Sequence, residues 1–193
     1  MSFLDLPEPD AAAEELFAED VEELGFVMNA SRIWAYDPAL QQQLFALLRD
    51  LVHEHGLTFR QRGILVAACA SALGDSYCSV AWGTKLAGAT DEKLAAGVLR
   101  GDDSGLSADE HALAEWARKV ARDPNSTTPE DVQSLRTAGW TDHQIFGLTA
   151  FVALRVAFST INDALGANPD AAYRSLAPQP VLEAITYGRP IDS

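Results

Sequence analysis

The sequence of 193 residues predicts an all-α protein, on three observations. Successive segments begin after Asp, Ser or Thr and end at Gly, which are the residues that start and stop helices. Apolar residues recur at helical spacing inside these segments, and no clear run shows the two-residue alternation of a half-buried strand. The length suits one well-buried core, so we predict a single domain over residues 1–193.

The two ends of the chain are predicted to have different structures. Residues 1–28 form an N-terminal helical arm, in which Asp10 follows a Pro-Glu-Pro turn and caps a helix that Gly25 ends. Asn29 is predicted to cap a short helix that runs through Tyr36. The C-terminal tail, 169–193, contains several prolines and is predicted to wrap a surface.

Helix caps divide the middle of the chain into successive helices. Each begins after a capping residue. A proline follows two of these residues, a third starts a Ser-x-x-Glu pattern, and a fourth follows a glycine. The predicted starts are at Asp37, Thr58, Asp75, Thr90, Ser107 and Thr128. The longest helix, 141–165, is apolar around much of its circumference, so it is predicted to be central in the monomer or buried against a second copy in a homo-oligomer.

Charge and cysteine content limit the partners and the compartment. The net charge of −14 argues against nucleic acid and anionic membranes as partners, because both are polyanions. No segment approaches the roughly 20 apolar residues of a membrane span, and the N-terminus lacks the features of a signal peptide. The two cysteines, Cys69 and Cys78, are predicted to lie too far apart for a disulfide, which favours a reducing cytoplasm.

The thiol of Cys78 is the most distinctive candidate for chemistry. Gly74 and Asp75 break the chain before it, so Asp75 is predicted to be the N-cap of a helix that holds Cys78 in its first turn. The positive end of a helix dipole lowers the pKa of a nearby thiol, although the Asp75 carboxylate opposes this. The alternative is that Cys78 is a small apolar side chain packed in a helical hairpin.

Several motifs, taken in order, resemble the alkylhydroperoxidase-like (AhpD-like), or carboxymuconolactone decarboxylase-like, family. The Tyr-Cys pair of Tyr77 and Cys78 is similar to the family signature, and the other segments match in order and spacing over most of the chain. These segments are Leu24 to Asn29, Leu57-Thr58 with Arg60 and Arg62, Gly139 to Ile145, and Ile161 to Gly166. The resemblance implies an all-helical fold around a central helical hairpin, assembled as a homo-oligomer.

Active members of that family carry a glutamate, a Cys-x-x-Cys pair and a histidine. The second cysteine, which attacks the peroxide, corresponds to Cys78. The first cysteine, the histidine and the glutamate correspond to Asp75, Trp82 and Gly63, so three of the four roles are vacant. The resemblance therefore implies a weak or degenerate peroxidase (peroxiredoxin-type activity), with an external thiol reductant, a small-molecule substrate and no cofactor or metal.

The remaining candidates have both a structural and a functional interpretation. Asp75 is a helix cap or a proton carrier beside the thiol, Trp82 is a core or subunit contact or part of a substrate pocket, and Tyr77 packs or offers its hydroxyl to that pocket. His53 and His55 are two residues apart on a helix and do not share a face, which argues against a metal site there.

Two other functional classes stay open. One is a cofactor-free carboxymuconolactone decarboxylase-type enzyme, whose activity would survive the loss of Cys78. The other is a non-catalytic oligomeric protein that binds a small molecule or a partner and has a thiol of ordinary pKa.

Overall fold

The computed structural model describes residues 2–193. It shows a chain that folds into helices joined by short turns. Within that range the structure contains eleven α-helices, one turn of 3-10 helix at Pro124–Ser126, and no strand. The all-α prediction is therefore confirmed. The helices are α1 (Ala11–Leu24), α2 (Asn29–Trp34), α3 (Pro38–Glu54), α4 (Phe59–Leu73), α5 (Ser76–Ala89), α6 (Glu92–Arg100), α7 (Ala108–Arg122), α8 (Pro129–Thr137), α9 (Asp142–Ala164), α10 (Tyr173–Leu176) and α11 (Gln179–Ala184).

The predicted caps hold the helix ends in place. Asp10, Asp37 and Asp75 each accept a backbone N–H of the first turn of the helix that follows. Thr58 begins α4 with a capping box, in which its hydroxyl accepts the Gln61 N–H and the Gln61 side chain accepts the Thr58 N–H. These bonds satisfy amide groups that have no partner inside a helix.

The α2 cap differs from the prediction. The N-cap is Met28, and Asn29 is already inside the helix, which ends at Trp34. The Asn29 side chain instead donates to the Asn168 carbonyl and to an Asp192 carboxylate oxygen, at 3.0 and 2.9 Å. Asn29 therefore ties the start of α2 to the tail.

Helix α4 lies at the centre of the protein. All residues from Gly63 to Ala70 are buried, and α4 packs against α5, α6, α7 and α9. Helices α4 and α5 form a hairpin whose corner is Gly74, at φ +75°, followed by Asp75. A left-handed residue at this position ends α4 sharply, and glycine adopts it without strain.

Helix α9 is longer than α4 but less enclosed. It packs against α3, α4 and α7, while Phe146 on another face is 70% exposed. By length and composition alone α9 could cross a membrane, contrary to the sequence expectation that no segment approaches a span, and 44% of its most apolar window is buried inside the protein. Helix α9 therefore shares the core of the monomer with α4, and its burial against a second copy stays a prediction.

The C-terminal tail, which was predicted to wrap a surface, contains two short helices. It forms α10 and α11, which pack against α5, and α11 also packs against α6. Tyr173, Val181 and Ala184 are buried. The prolines at 178 and 180 flank the start of α11, where the absence of an N–H costs nothing.

Candidate functional site

The N-terminus of α5 positions Cys78. Asp75 is the N-cap and its Oδ1 accepts the Cys78 backbone N–H at 2.9 Å, as predicted. This bond places Cys78 in the first helical turn, below the corner of the α4–α5 hairpin. Asp75 is itself fully buried, and its Oδ2 has no hydrogen-bond partner within residues 2–193.

Two donors from α9 reach the sulfur of Cys78. Arg155 Nη2 lies 3.4 Å from Sγ, and Ser159 Oγ lies 3.6 Å from it. These two residues are one helical turn apart, so they face the same direction. The thiol is 2% exposed but it is not enclosed by apolar groups alone.

The pKa of the Cys78 thiol is raised, which favours the alternative of a packed, neutral side chain over the lowering that the helix dipole alone would give. Burial raises the pKa of the thiol most, and the negative charge of Asp75 raises it further, while Arg155 and Ser159 lower it by less. The helix dipole acts within one turn and contributes at most about 2 kcal/mol, which is smaller than the cost of burying a thiolate. Cys78 is therefore a neutral thiol near pH 7.

Arg155 is the functional candidate that the sequence prediction missed. Arg155 is 4% exposed. Its guanidinium carbon lies 5.0 Å from the centre of the Phe158 ring and 5.7 Å from the centre of the Trp82 ring. In the described chain, residues 2–193, it makes no ion pair, and its Nε has no hydrogen-bond partner. A buried cation without a paired anion is costly, so this arrangement favours the approach of a negatively charged group.

Cys78, Arg155 and Trp82 line a common cavity of about 440 Å³. Phe45 and Phe158, whose rings meet edge to face at 5.2 Å, form part of its wall. The N-terminal arm closes another side. The arm residues that line the cavity are Leu16, Glu19, Asp20, Glu23, Leu24 and Met28.

Tyr77 lines the same cavity, but its hydroxyl is engaged elsewhere. Tyr77 Oη donates to Asp170 Oδ2 at 2.7 Å and accepts the Ala30 N–H at 3.2 Å. Both bonds are buried, and they connect α5 to α2 and to the segment before α10. The packing interpretation of Tyr77 is therefore favoured over a role as proton donor.

Trp82 is half-buried, and Lys85 approaches its ring to 5.5 Å.

The two cysteines do not form a disulfide in the structure. Cys69 and Cys78 are both free and buried, and burial raises the pKa of Cys69 to about 12. Gly63, at the position that corresponds to the family glutamate, faces Leu86, whose Cδ1 would lie 3.0 Å from a Cβ there. A side chain at this position would therefore need Leu86 on α5 to shift by a few tenths of an ångström.

Comparisons with known proteins support the fold. No family model and no curated protein matches the sequence. The alkylhydroperoxidase AhpD core of an uncharacterized peroxidase-related protein from Ralstonia eutropha JMP134 is 24% identical with a TM-score of 0.78, over 89% of this chain and 94% of that chain. An uncharacterized peroxidase-related protein from Silicibacter sp. TM1040 is 23% identical with a TM-score of 0.80, over 90% and 94%.

A third similar structure has a described activity. It is a cysteine-to-alanine variant of the debrominase Bmp8 in complex with 2,3,4-tribromopyrrole, and it is 17% identical with a TM-score of 0.73, over 94% of this chain and 97% of that chain. At these identities the comparisons establish the architecture and leave the activity open. The chain thus has the all-helical alkylhydroperoxidase AhpD-like fold, with α4 and α5 as its central hairpin.

Proposed function

We propose that this protein is a one-cysteine peroxidase that reduces small hydroperoxides slowly, with Cys78 as the attacking thiol. The observation that supports this most is the contact between Cys78 Sγ and the guanidinium of Arg155 at a cavity large enough for a small molecule. Such a cation stabilises a thiolate and any negative charge that develops beside it.

In the proposed reaction the Cys78 proton passes to the free Oδ2 of Asp75. The thiolate attacks the terminal peroxide oxygen, the O–O bond breaks, and the departing alkoxide takes the proton to leave as an alcohol. The sulfur loses two electrons and becomes a sulfenic acid, while the peroxide gains them. Arg155 and Ser159 hold the charge on sulfur before the attack.

Return to the thiol requires an external reductant, because Cys69 lies in the core. One molecule of a small thiol condenses with the sulfenic acid to give a mixed disulfide and water. A second molecule releases Cys78 and leaves as the oxidised disulfide. The cavity beside Cys78 is the route by which both reach the sulfur.

Peroxide treatment followed by intact-mass measurement tests the proposal. The wild type and Cys69→Ala are expected to gain one oxygen atom, and Cys78→Ala is not. Cys69→Ala is a matched control because it removes an equally buried thiol outside the cavity. If neither cysteine is oxidised at any pH, a non-catalytic binding role is supported. If peroxide is consumed without Cys78, the decarboxylase-type alternative gains weight.

The debrominase resemblance suggests a second candidate, the reductive removal of a halogen from a small aromatic ring. The ring walls of Phe45, Phe158 and Trp82 around the thiol favour this substrate class. Overall, two thiols would supply two electrons, the ring carbon would gain a proton, and bromide would leave. Bromide release from 2,3,4-tribromopyrrole, with dithiothreitol as donor and Cys78→Ala as control, distinguishes it from peroxide reduction.

We also propose that the protein works as a cytoplasmic homo-oligomer. Leu47 on α3 and Phe146 on α9 are both exposed, and a mostly apolar groove lies between the two helices, lined by Leu47, Asp50, Leu51, Glu54, Ala150, Ala153 and Leu154. A second copy would cover this surface. Light scattering after size exclusion is expected to show an oligomer for the wild type and a smaller species for Phe146→Asp. A monomeric wild type would contradict the proposal.

A further inference from the structure

Glu54, His55 and His143 meet where the C-terminal end of α3 packs beside the first turn of α9. Each offers one ligand atom, and the three atoms lie within 4.8 Å of one another. Sequence spacing had argued against a metal site because His53 and His55 point in different directions. The structure brings in His143, which is distant in sequence, in place of His53.

The geometry of the exposed pair already suits a tetrahedral ion. His143 Nε2 lies 3.4 Å from Glu54 Oε1. Two ligands about 2.0–2.1 Å from a tetrahedral zinc ion are separated by roughly 3.4 Å. The side chains of His143 and Glu54 are 67% and 62% exposed, so they can rotate toward a third ligand.

His55 provides that third ligand from a fixed position. The residue is 5% exposed, its Nδ1 is buried and has no hydrogen-bond partner in residues 2–193, and its ring centre lies 4.5 Å from that of His143. The ring packs on Gly147, one turn after His143, where a Cβ would lie 2.1 Å from His55 Cδ2. Glycine at position 147 thus makes the space that keeps the imidazole beside His143.

We propose that Glu54, His55 and His143 form a binding site for a divalent transition ion, with zinc as the preferred ion. Two imidazoles and one carboxylate are a typical zinc ligand set, which leaves a fourth position open to solvent. The site cross-links α3 and α9. Residue 155 is 12 positions beyond His143, or about 18 Å along the helix, so the ion lies far from the Cys78 sulfur.

Zinc titration of the untagged, chelator-treated protein by calorimetry tests this site. We expect one equivalent to bind the wild type, and affinity to fall at least tenfold in His143→Ala and Glu54→Gln. His55→Phe, which keeps a ring of similar size but removes both nitrogens, is expected to weaken binding by a similar factor. Cobalt is expected to give the intense visible absorption of a tetrahedral complex with the wild type and not with the three variants at Glu54, His55 and His143.

Two controls exclude simpler explanations. His111 Nδ1 also lies 3.4 Å from a carboxylate, that of Glu115, but residues 2–193 offer this pair no third ligand, so His111→Ala should bind zinc like the wild type. Cys78→Ala should also keep its affinity, which excludes the thiol as the zinc ligand. The proposal is overturned if the wild type binds no stoichiometric zinc, if His143→Ala or His55→Phe binds as tightly as the wild type, or if His111→Ala loses binding too.

Discussion

Arg155 and Asp75 act on the Cys78 sulfur with opposite charges. Arg155 approaches Sγ from α9 to 3.4 Å and lowers the thiol pKa, while Asp75 holds the Cys78 amide at the start of α5 and raises it. Burial adds to the effect of Asp75, so the neutral thiol is favoured. Removing the charge of Arg155 should therefore make Cys78 less reactive, and removing the charge of Asp75 should make it more reactive.

Removal of the Arg155 charge is expected to slow the reaction of Cys78 further. Arg155→Met should lower the rate of iodoacetamide alkylation at pH 8 several-fold, because loss of the cation raises the pKa of the Cys78 thiol further and reduces the thiolate fraction. Mass spectrometry of the labelled peptide over a pH series measures this rate. Arg49→Met is the matched control, since Arg49 lines the same cavity but is exposed. Equal rates for Arg155→Met and the wild type would contradict the role of Arg155.

Removal of the Asp75 charge is expected to have the opposite effect on alkylation. Asn retains a side-chain oxygen for the Cys78 N–H, so Asp75→Asn should preserve the helix cap and increase the alkylation rate several-fold. Peroxide reduction should become slower in the same variant, because the proton acceptor is lost. A parallel increase in both rates would show that Asp75 only suppresses the thiolate and carries no proton.

A glycine on α9 is expected to be essential for packing. Gly147→Ala would place its Cβ 2.1 Å from the His55 ring and should lower the free energy of unfolding by about 2–3 kcal/mol, typical of overpacking. Gly88→Ala is the matched control on α5, where a Cβ meets nothing within 4 Å, and it should raise stability by up to about 1 kcal/mol. Urea denaturation measures both. A stable Gly147→Ala would show that His55 can move away easily.

Local sequence patterns predicted the helices and the position of the thiol because caps act over a few residues. Asp75 and Cys78 are three residues apart, and their hydrogen bond follows from helix geometry alone. Arg155 was overlooked although it left a signal, since it is the only Asp, Glu, Lys or Arg in α9 between Asp142 and Asp163. A lone charge on a buried helix needs a partner or a function.

Properties that depend on tertiary contacts could not be predicted from the sequence. The raised pKa of Cys78 results from burial under α1 and α9, which cap patterns do not reveal. Likewise, His55 and His143 lie 88 positions apart, and only the packing of α3 on α9 brings them together. The two short tail helices also depend on contacts with α5 and α6.

Asp163, near the end of α9, is expected to make stability depend on pH. Burial and the nearby negative charge of Asp75 raise its pKa from 3.8 to about 7, and Arg189 only partly opposes this. Between these two pH values the folded state binds a proton that the unfolded state has lost, so the contribution of Asp163 to stability falls as pH rises.

Asp163→Asn removes this contribution. The variant should match the wild type at pH 4 and become more stable by about 1–2 kcal/mol at pH 8, a value reduced for the partial exposure of the carboxylate to water. Urea denaturation at several pH values measures the difference. Glu22→Gln, which removes one exposed charge from α1, controls for the change in net charge. A stability difference that is constant from pH 4 to pH 8 would mean that Asp163 titrates alike in the folded and unfolded chains.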